Sequence, residues 1–330
     1  MTLQQLKSHL WNCAEILRGS AVDRTDWKAY ILPLLFFKRL SDVWDEETAD
    51  AAALFGDADP VEFPEVHRFM IPEGCHWRDV RETAANIGAA LARAMREIER
   101  SNPDTLYRVF GAADWGNREI LPDGTLKDLI EGLSGVTLGN KAVGSDILGD
   151  AYEYLIGQFA DVAKRKKAGE FYTPRSVVRM MVAMLDPKPG ESICDPACGT
   201  GGMLLGAIEH VKHAGGDPRT FFGKIHGQEK NLTTSAIARM NLVLHGIEDF
   251  KIVREDTGNL RLRDRESAVF PEGMGAGDMG VRSLGPGAVR AAAGQLRGLC
   301  LGPAYGGLHG RENGEDGSCP STGGTIPQGG

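Results

Sequence analysis

No stretch of this sequence is apolar for long enough to cross a bilayer. The longest run, YILPLLFF from Tyr30, falls far short of the roughly 20 residues that a membrane helix needs. The first residues also lack the charged-then-apolar pattern of a secretion signal. Cysteine is sparse and scattered. Cys13, Cys75, Cys194, Cys198, Cys300 and Cys319 show neither paired metal-ligand spacing nor the density of a disulfide scaffold. No metal site is expected, and reduced thiols in a cytoplasm fit this usage. Positive charge is in short supply too. With 37 Lys and Arg against 45 Asp and Glu, a net charge of -8, the chain lacks the broad basic surface that grips nucleic acid unaided. Contact with a phosphate backbone would need a local patch or a partner. The expectation is a soluble, unexported chain, and 330 residues suffice for two ordinary domains.

What is present falls into three compositional regions. From Thr2 to about Arg100 apolar residues recur at helical spacing, as in Leu6, Leu10, Cys13, Ile16 and Leu17, and again from Ile31 to Trp44. ILRGS and LFGDADP supply breaks between helices, and PDGTLKDLIEGL from Pro122 opens another, with Asp123 or Thr125 as candidate N-caps. Near Gly144, SDILGDAYEYLIGQFA makes an amphipathic helix that runs into the basic KRKK at Lys164. That run reads as a solvated helix end rather than a phosphate contact. After GEFYTPRSVV the pattern alternates: ESICDPA as strand, Met203 to His213 as helix, KIHGQE as strand, Leu232 to His245 as helix, FKIVRED as strand. Such alternation predicts a parallel α/β sheet. From about Arg261 the periodicity stops, in strings such as GMGAGDMGV and PSTGGTIPQGG, which read as loop or disordered chain.

The stretch DPACGTGG, Asp195 to Gly202, places an acid at the end of the first strand and a glycine turn before a helix. A nucleoside triphosphate loop would need Lys after its last glycine, and none follows Gly202. A dinucleotide loop would need a third glycine where Leu204 stands. The remaining candidate is a ligand that carries a cation against the strand-terminal carboxylate. S-adenosylmethionine, with its α-ammonium and sulfonium, has that chemistry. Glu229 ends the second strand, where a carboxylate can accept both ribose hydroxyls, and Asp256 ends the third, where it can accept an adenine amino group. Any one of these acids alone is more often a surface or capping residue. Three at successive strand ends make a line of acceptors.

In order along the chain, GEFYTPRSVV, DPACGTGG, HGQE and REDT, preceded by LWNCAEILRGS and YILPLLFFKRLSDVW, resemble the N6-adenine DNA methyltransferases. The likeness is to the modification subunits of type I restriction-modification systems, and it runs from about Thr2 to Thr257. It implies a helical N-terminal domain (1–140). A class I, Rossmann-like S-adenosylmethionine-dependent methyltransferase fold, α/β and truncated after about three strands, would follow (141–260), and then a Gly/Pro-rich tail (261–330). By the resemblance, Glu170, Phe171, Tyr172, Thr173, Pro174 and Arg175 close over the methionine end of the cofactor. Asp195, Pro196, Ala197, Gly199, Thr200, Gly201 and Gly202 hold its amino-acid and ribose side, and Glu229 the ribose; Asp256 keeps the adenine role that its strand-end position alone gives it. Taken alone, Phe171 and Tyr172 would read as core aromatics. The implied partners are DNA, a specificity subunit that reads the site, a second modification subunit and a restriction subunit.

The family also flips its target adenine into a pocket of Asn-Pro-Pro-Phe or Asn-Pro-Pro-Tyr after the fourth strand. No such motif follows Asp256, so no catalytic residue is assigned. A displaced reading frame accounts for the loss. Arg261 to Gly275 can be encoded so that starting one nucleotide later yields DCVIANPPFSLKAW, a strand running into the missing motif. GSCPSTGGTIPQ likewise permits AVVLP, a polar residue, then GVLFR. A frame change near Leu260 would leave the tail untranslatable as family sequence. Two other readings stand beside the impaired adenine methyltransferase: a non-catalytic cofactor-binding or assembly module, and a methyltransferase for another substrate.

Overall fold

The computed structural model describes residues 2–55, 66–164, 173–254 and 282–283. All of these fall within one compact unit, Met1–Ala292. Helix α1 (Leu3–Glu15) starts in a capping box: the Thr2 hydroxyl accepts from Gln5 N and the Gln5 side chain accepts from Thr2 N at 2.9 Å. Its Leu6, Leu10 and Cys13 are buried, at the spacing read from the sequence, and Leu17 continues the stripe in a 3-10 turn, Ile16–Gly19. Helices α2 (Lys28–Phe55), α3 (Trp77–Arg81), α4 (Ile87–Ser101), α5 (Asp123–Ser134) and α6 (Ser145–Lys164) follow. They share one core, in which Phe36, Phe37, Tyr152 and Phe159 are among the largest fully buried side chains.

One capping expectation is corrected. Pro122, not Asp123 or Thr125, is the N-cap of α5. Asp123 instead accepts from the backbone N–H groups of Asn86 and Ile87 at 3.0 and 3.1 Å, so it neutralises the start of α4 across the loop. A carboxylate can serve whichever helix end it reaches.

Beyond α6 come α7 (Arg175–Leu185), β1 (Ile193–Asp195), α8 (Gly202–His213), β2 (Ile225–Gln228), α9 (Leu232–Leu244) and β3 (Lys251–Val253). The three strands are parallel, with Ile193 opposite Ile225 and Gln228 opposite Val253. A two-residue strand, β4 (Arg282–Ser283), pairs parallel with the other side of β1. The order is therefore β3-β2-β1-β4, one short strand more than the sequence pattern predicts, drawn from a region without periodicity. The fold is a helical region followed by a short parallel sheet of Rossmann-like type. Ile193, Ile225 and Ile252 pack with Val178, Leu204, Leu205, Ile208 and Leu242 in a second core. Helix α9 serves both cores. Ala236, Ile237, Met240, Val243 and Leu244 belong to the helical one, Ala238 and Leu242 to the sheet one. Among the described residues no helix is long and apolar enough to cross a membrane.

Candidate functional site

Parallel strands deliver their carboxyl ends to one side of a sheet, and ligands of open α/β folds sit there. Here β1 ends at Asp195, and Glu229 follows β2, its N–H donating to Val253 O at 3.0 Å. The glycine loop between β1 and α8 is tied down from both sides. Cys198 N donates to Gln228 O at 2.9 Å, and Asn241 Nδ2 of α9 donates to Thr200 O at 3.0 Å. Gly199 and Gly201 have φ of +54° and +84°, the left-handed region that side chains resist, and Gly201 is the N-cap of α8. Close approach matters at Gly227 as well. A Cβ there would lie 2.5 Å from Ile252 Cδ1 and 2.9 Å from Cys198 Sγ.

These elements surround a cavity of about 470 Å³. Asp195, Ala197, Gly199, Thr200, Gly202 and Glu229 line it, together with Thr173 and Arg175 at the start of α7. Pro174 is the N-cap of α7, and Pro196 and Gly201 shape the loop without lining the cavity. Glu170, Phe171, Tyr172 and Asp256 lie outside the described residues, as does the tail apart from Arg282–Ser283. Other lining residues escaped the sequence reading. Asn231 was findable as the N-cap of α9, two residues after Glu229, and its N–H donates to Glu229 Oε1 at 2.7 Å. Glu153 carried no signal, since an acid inside an amphipathic helix looks solvent-facing until the fold buries it.

Asp195 is 3% exposed and accepts from Ala197 N at 3.1 Å. Burial, with a smaller contribution from the Glu229 charge and against that hydrogen bond, raises its pKa to about 7. Burial foremost also pushes the Cys198 thiol well above its ordinary range, which makes that thiol a packing group rather than a nucleophile. Four carboxylates (Glu153, Asp195, Glu209 and Glu229) face three cations (Lys28, Arg175 and Arg179) around the cavity. The acids outnumber the cations by one, an excess that is complete only above pH 7 where Asp195 is ionised, and a positively charged ligand would favour that ionised form. Among the described residues no cluster of three or more His, Cys, Asp or Glu could hold a metal ion.

Residues 143–268 match the family model for N-6 DNA methylases, and residues 6–133 match that of the HsdM N-terminal domain. The chain belongs to the modification-subunit family of type I restriction-modification systems. Among this subunit family, the EcoEI methylase subunit of Escherichia coli is 31% identical over 271 residues, 76% of this chain and 51% of that relative. The MjaIX methylase subunit of Methanocaldococcus jannaschii is 27% identical over 267 residues, 74% of this chain and 46% of its own. A type I methyltransferase subunit of known structure from Streptococcus thermophilus superposes with a TM-score of 0.60 at 28% identity, over 81% of this chain and 61% of that one. The chain thus spans about half the length of the curated relatives it matches. The family matched by residues 143–268 is one of N-6 DNA methylases, an enzyme class that implies a methyl donor.

Proposed function

We propose that the cavity at the ends of β1 and β2 binds S-adenosylmethionine, and that the chain is the cofactor-binding part of an adenine-specific (N6) DNA methyltransferase subunit. One observation carries this reading: a buried carboxylate, Asp195, at a strand end beside a second, Glu229, opening on a 470 Å³ cavity under a glycine turn. The residues fit the ligand. An ammonium group would offset the penalty that raises the Asp195 pKa to about 7, and Glu229 offers a carboxylate suited to vicinal hydroxyls. The volume lies within the range of small-ligand pockets.

When bound, the cofactor would supply an electrophilic methyl group on its sulfonium. Asp195 would hold and orient the amino-acid end, Glu229 the ribose, and the Gly199–Gly202 turn would let backbone approach closely. Thr173 and Arg175 would form the wall toward the methionine end, with Glu170, Phe171 and Tyr172 continuing it, and Asp256 would receive the adenine. DNA, a specificity subunit, a second modification subunit and a restriction subunit are the partners this reading implies, and the cytoplasm is the compartment. The sequence holds no Asn-Pro-Pro-Phe, so the adenine pocket is missing and the chain as translated should bind cofactor without transferring methyl. A loss of frame near Leu260 would account for the missing motif, although the family match runs on to residue 268.

Calorimetric titration with S-adenosylmethionine tests the assignment. Asp195→Ala and Glu229→Ala should each cost about 1.5 to 3 kcal/mol of binding, the scale of hydrogen bonds to charged groups. Affinity unchanged in both variants would remove the assignment.

A further inference from the structure

Helix α7 begins without a side-chain cap: Pro174 is the N-cap, and its carbonyl accepts from Val177 N and Val178 N at 2.9 and 3.0 Å. Thr173, which lines the cavity, precedes it directly. Something other than a cap must fix this entry. The Arg175 guanidinium forms an ion pair with Glu153 of α6, a carboxylate only 6% exposed, and lies 3.6 Å from Asp150 of α6 and 3.7 Å from Glu209 of α8. Three acids from two helices converge on one cation.

We propose that Arg175 is a positioning residue that ties the entry of α7 to the buried Glu153 and thereby sets the cavity wall on which S-adenosylmethionine would lie. The inference rests on the cavity being the cofactor site, and it changes what Arg175 does there. A guanidinium surrounded by three carboxylates has no surplus charge to offer a ligand carboxylate. It has geometry to give instead. Glu153 is a fixed anchor, because its neighbours Tyr152, Leu155 and Phe159 are locked in the helical core. The planar fork of Arg can serve acids on α6 and α8 together, which the point charge of Lys cannot. The position of α6 is thus transmitted to the start of α7 through this side chain, in addition to the direct lining of the cavity by Lys28, Leu32 and Ile156.

Hydrogen exchange and calorimetry on the full chain test this. In the ligand-free protein, Arg175→Gln and Glu153→Gln should each speed exchange at least tenfold in a peptide covering residues 173–178. Exchange within α2 should stay unchanged, which shows that the fold is intact. Arg175→Lys should fall between. In binding, both single variants should weaken S-adenosylmethionine at least tenfold, and the double variant should be no worse than either, because both break the same tie. Direct contact between Arg175 and the cofactor predicts the opposite for Glu153→Gln, where a freed guanidinium would bind as well or better. Unchanged exchange, or losses of affinity that add, overturns the proposal. If wild type and Asp195→Asn bind the cofactor equally, the cofactor reading fails, and the exchange rates still decide whether the tie exists.

Discussion

Asp195 works against the stability of the ligand-free fold. An exposed aspartate titrates near 4, whereas burial first, and the Glu229 charge after it, hold Asp195 at about 7. Because the folded state resists ionisation, this group lets the fold be most stable below about pH 4, and that stability is lost as pH rises from there through 7. Above pH 7 the penalty levels off, at up to about 4 kcal/mol. Asp195→Asn should therefore raise the melting temperature by several degrees at pH 8 and leave it nearly unchanged at pH 4. Thermal melts at the two pH values check this, and an equal effect at both would mean that the carboxylate is not held neutral. The same variant should lose most of the stabilisation that S-adenosylmethionine gives at pH 8. On the proposed function, cofactor binding and stability pull in opposite directions at this residue.

At the scale of elements, Gly227 decides how closely the 196–201 loop lies on β2. Gly227→Ala would drive a methyl group into Ile252 Cδ1 and Cys198 Sγ, at a cost of about 1 to 3 kcal/mol, and should lower cofactor affinity by pushing the 196–201 loop outward. Ile252→Val in the same chain should recover part of the stability. Chemical denaturation of the single and double variants measures both. The elements themselves were largely legible. Helical spacing announced α1, α2, α6, α8 and α9, and short apolar runs ending in acids announced β1 to β3, because each pattern reflects one face turned to a core. Strand ends then placed Asp195 and Glu229 without any structure. What stayed hidden depends on reach through space. Asp123 serves α4 rather than its own helix, Glu153 is buried by a partner on α7, and the Arg282–Ser283 strand is specified by pairing with β1 rather than by any local periodicity.

For the whole molecule, the question is what a chain spanning about half the length of its relatives can do. Positioning of amine against methyl can supply roughly 7 to 11 kcal/mol of a barrier, and the Asn, Pro-Pro turn and aromatic that would position adenine are absent from the sequence. Transfer of labelled methyl to DNA, with specificity subunit added, should be lost by many orders of magnitude in this chain and regained when the frame is restored after Leu260. Robust transfer by the unrepaired chain would place the adenine pocket elsewhere, and inactivity of both would remove the frame change. Helix α9 bears on a different matter. None of its residues from Leu232 to Leu244 is exposed, since one flank belongs to the helical core and the other to the sheet core. A gene cut between the two family-model regions, near residue 140, would therefore not release two self-sufficient proteins. The N-terminal fragment would carry an open apolar trough and the other a greasy helix, and each should precipitate alone yet recover when the pair is refolded together. In calorimetry the uncut chain should melt as one unit, with a van't Hoff enthalpy matching the measured heat.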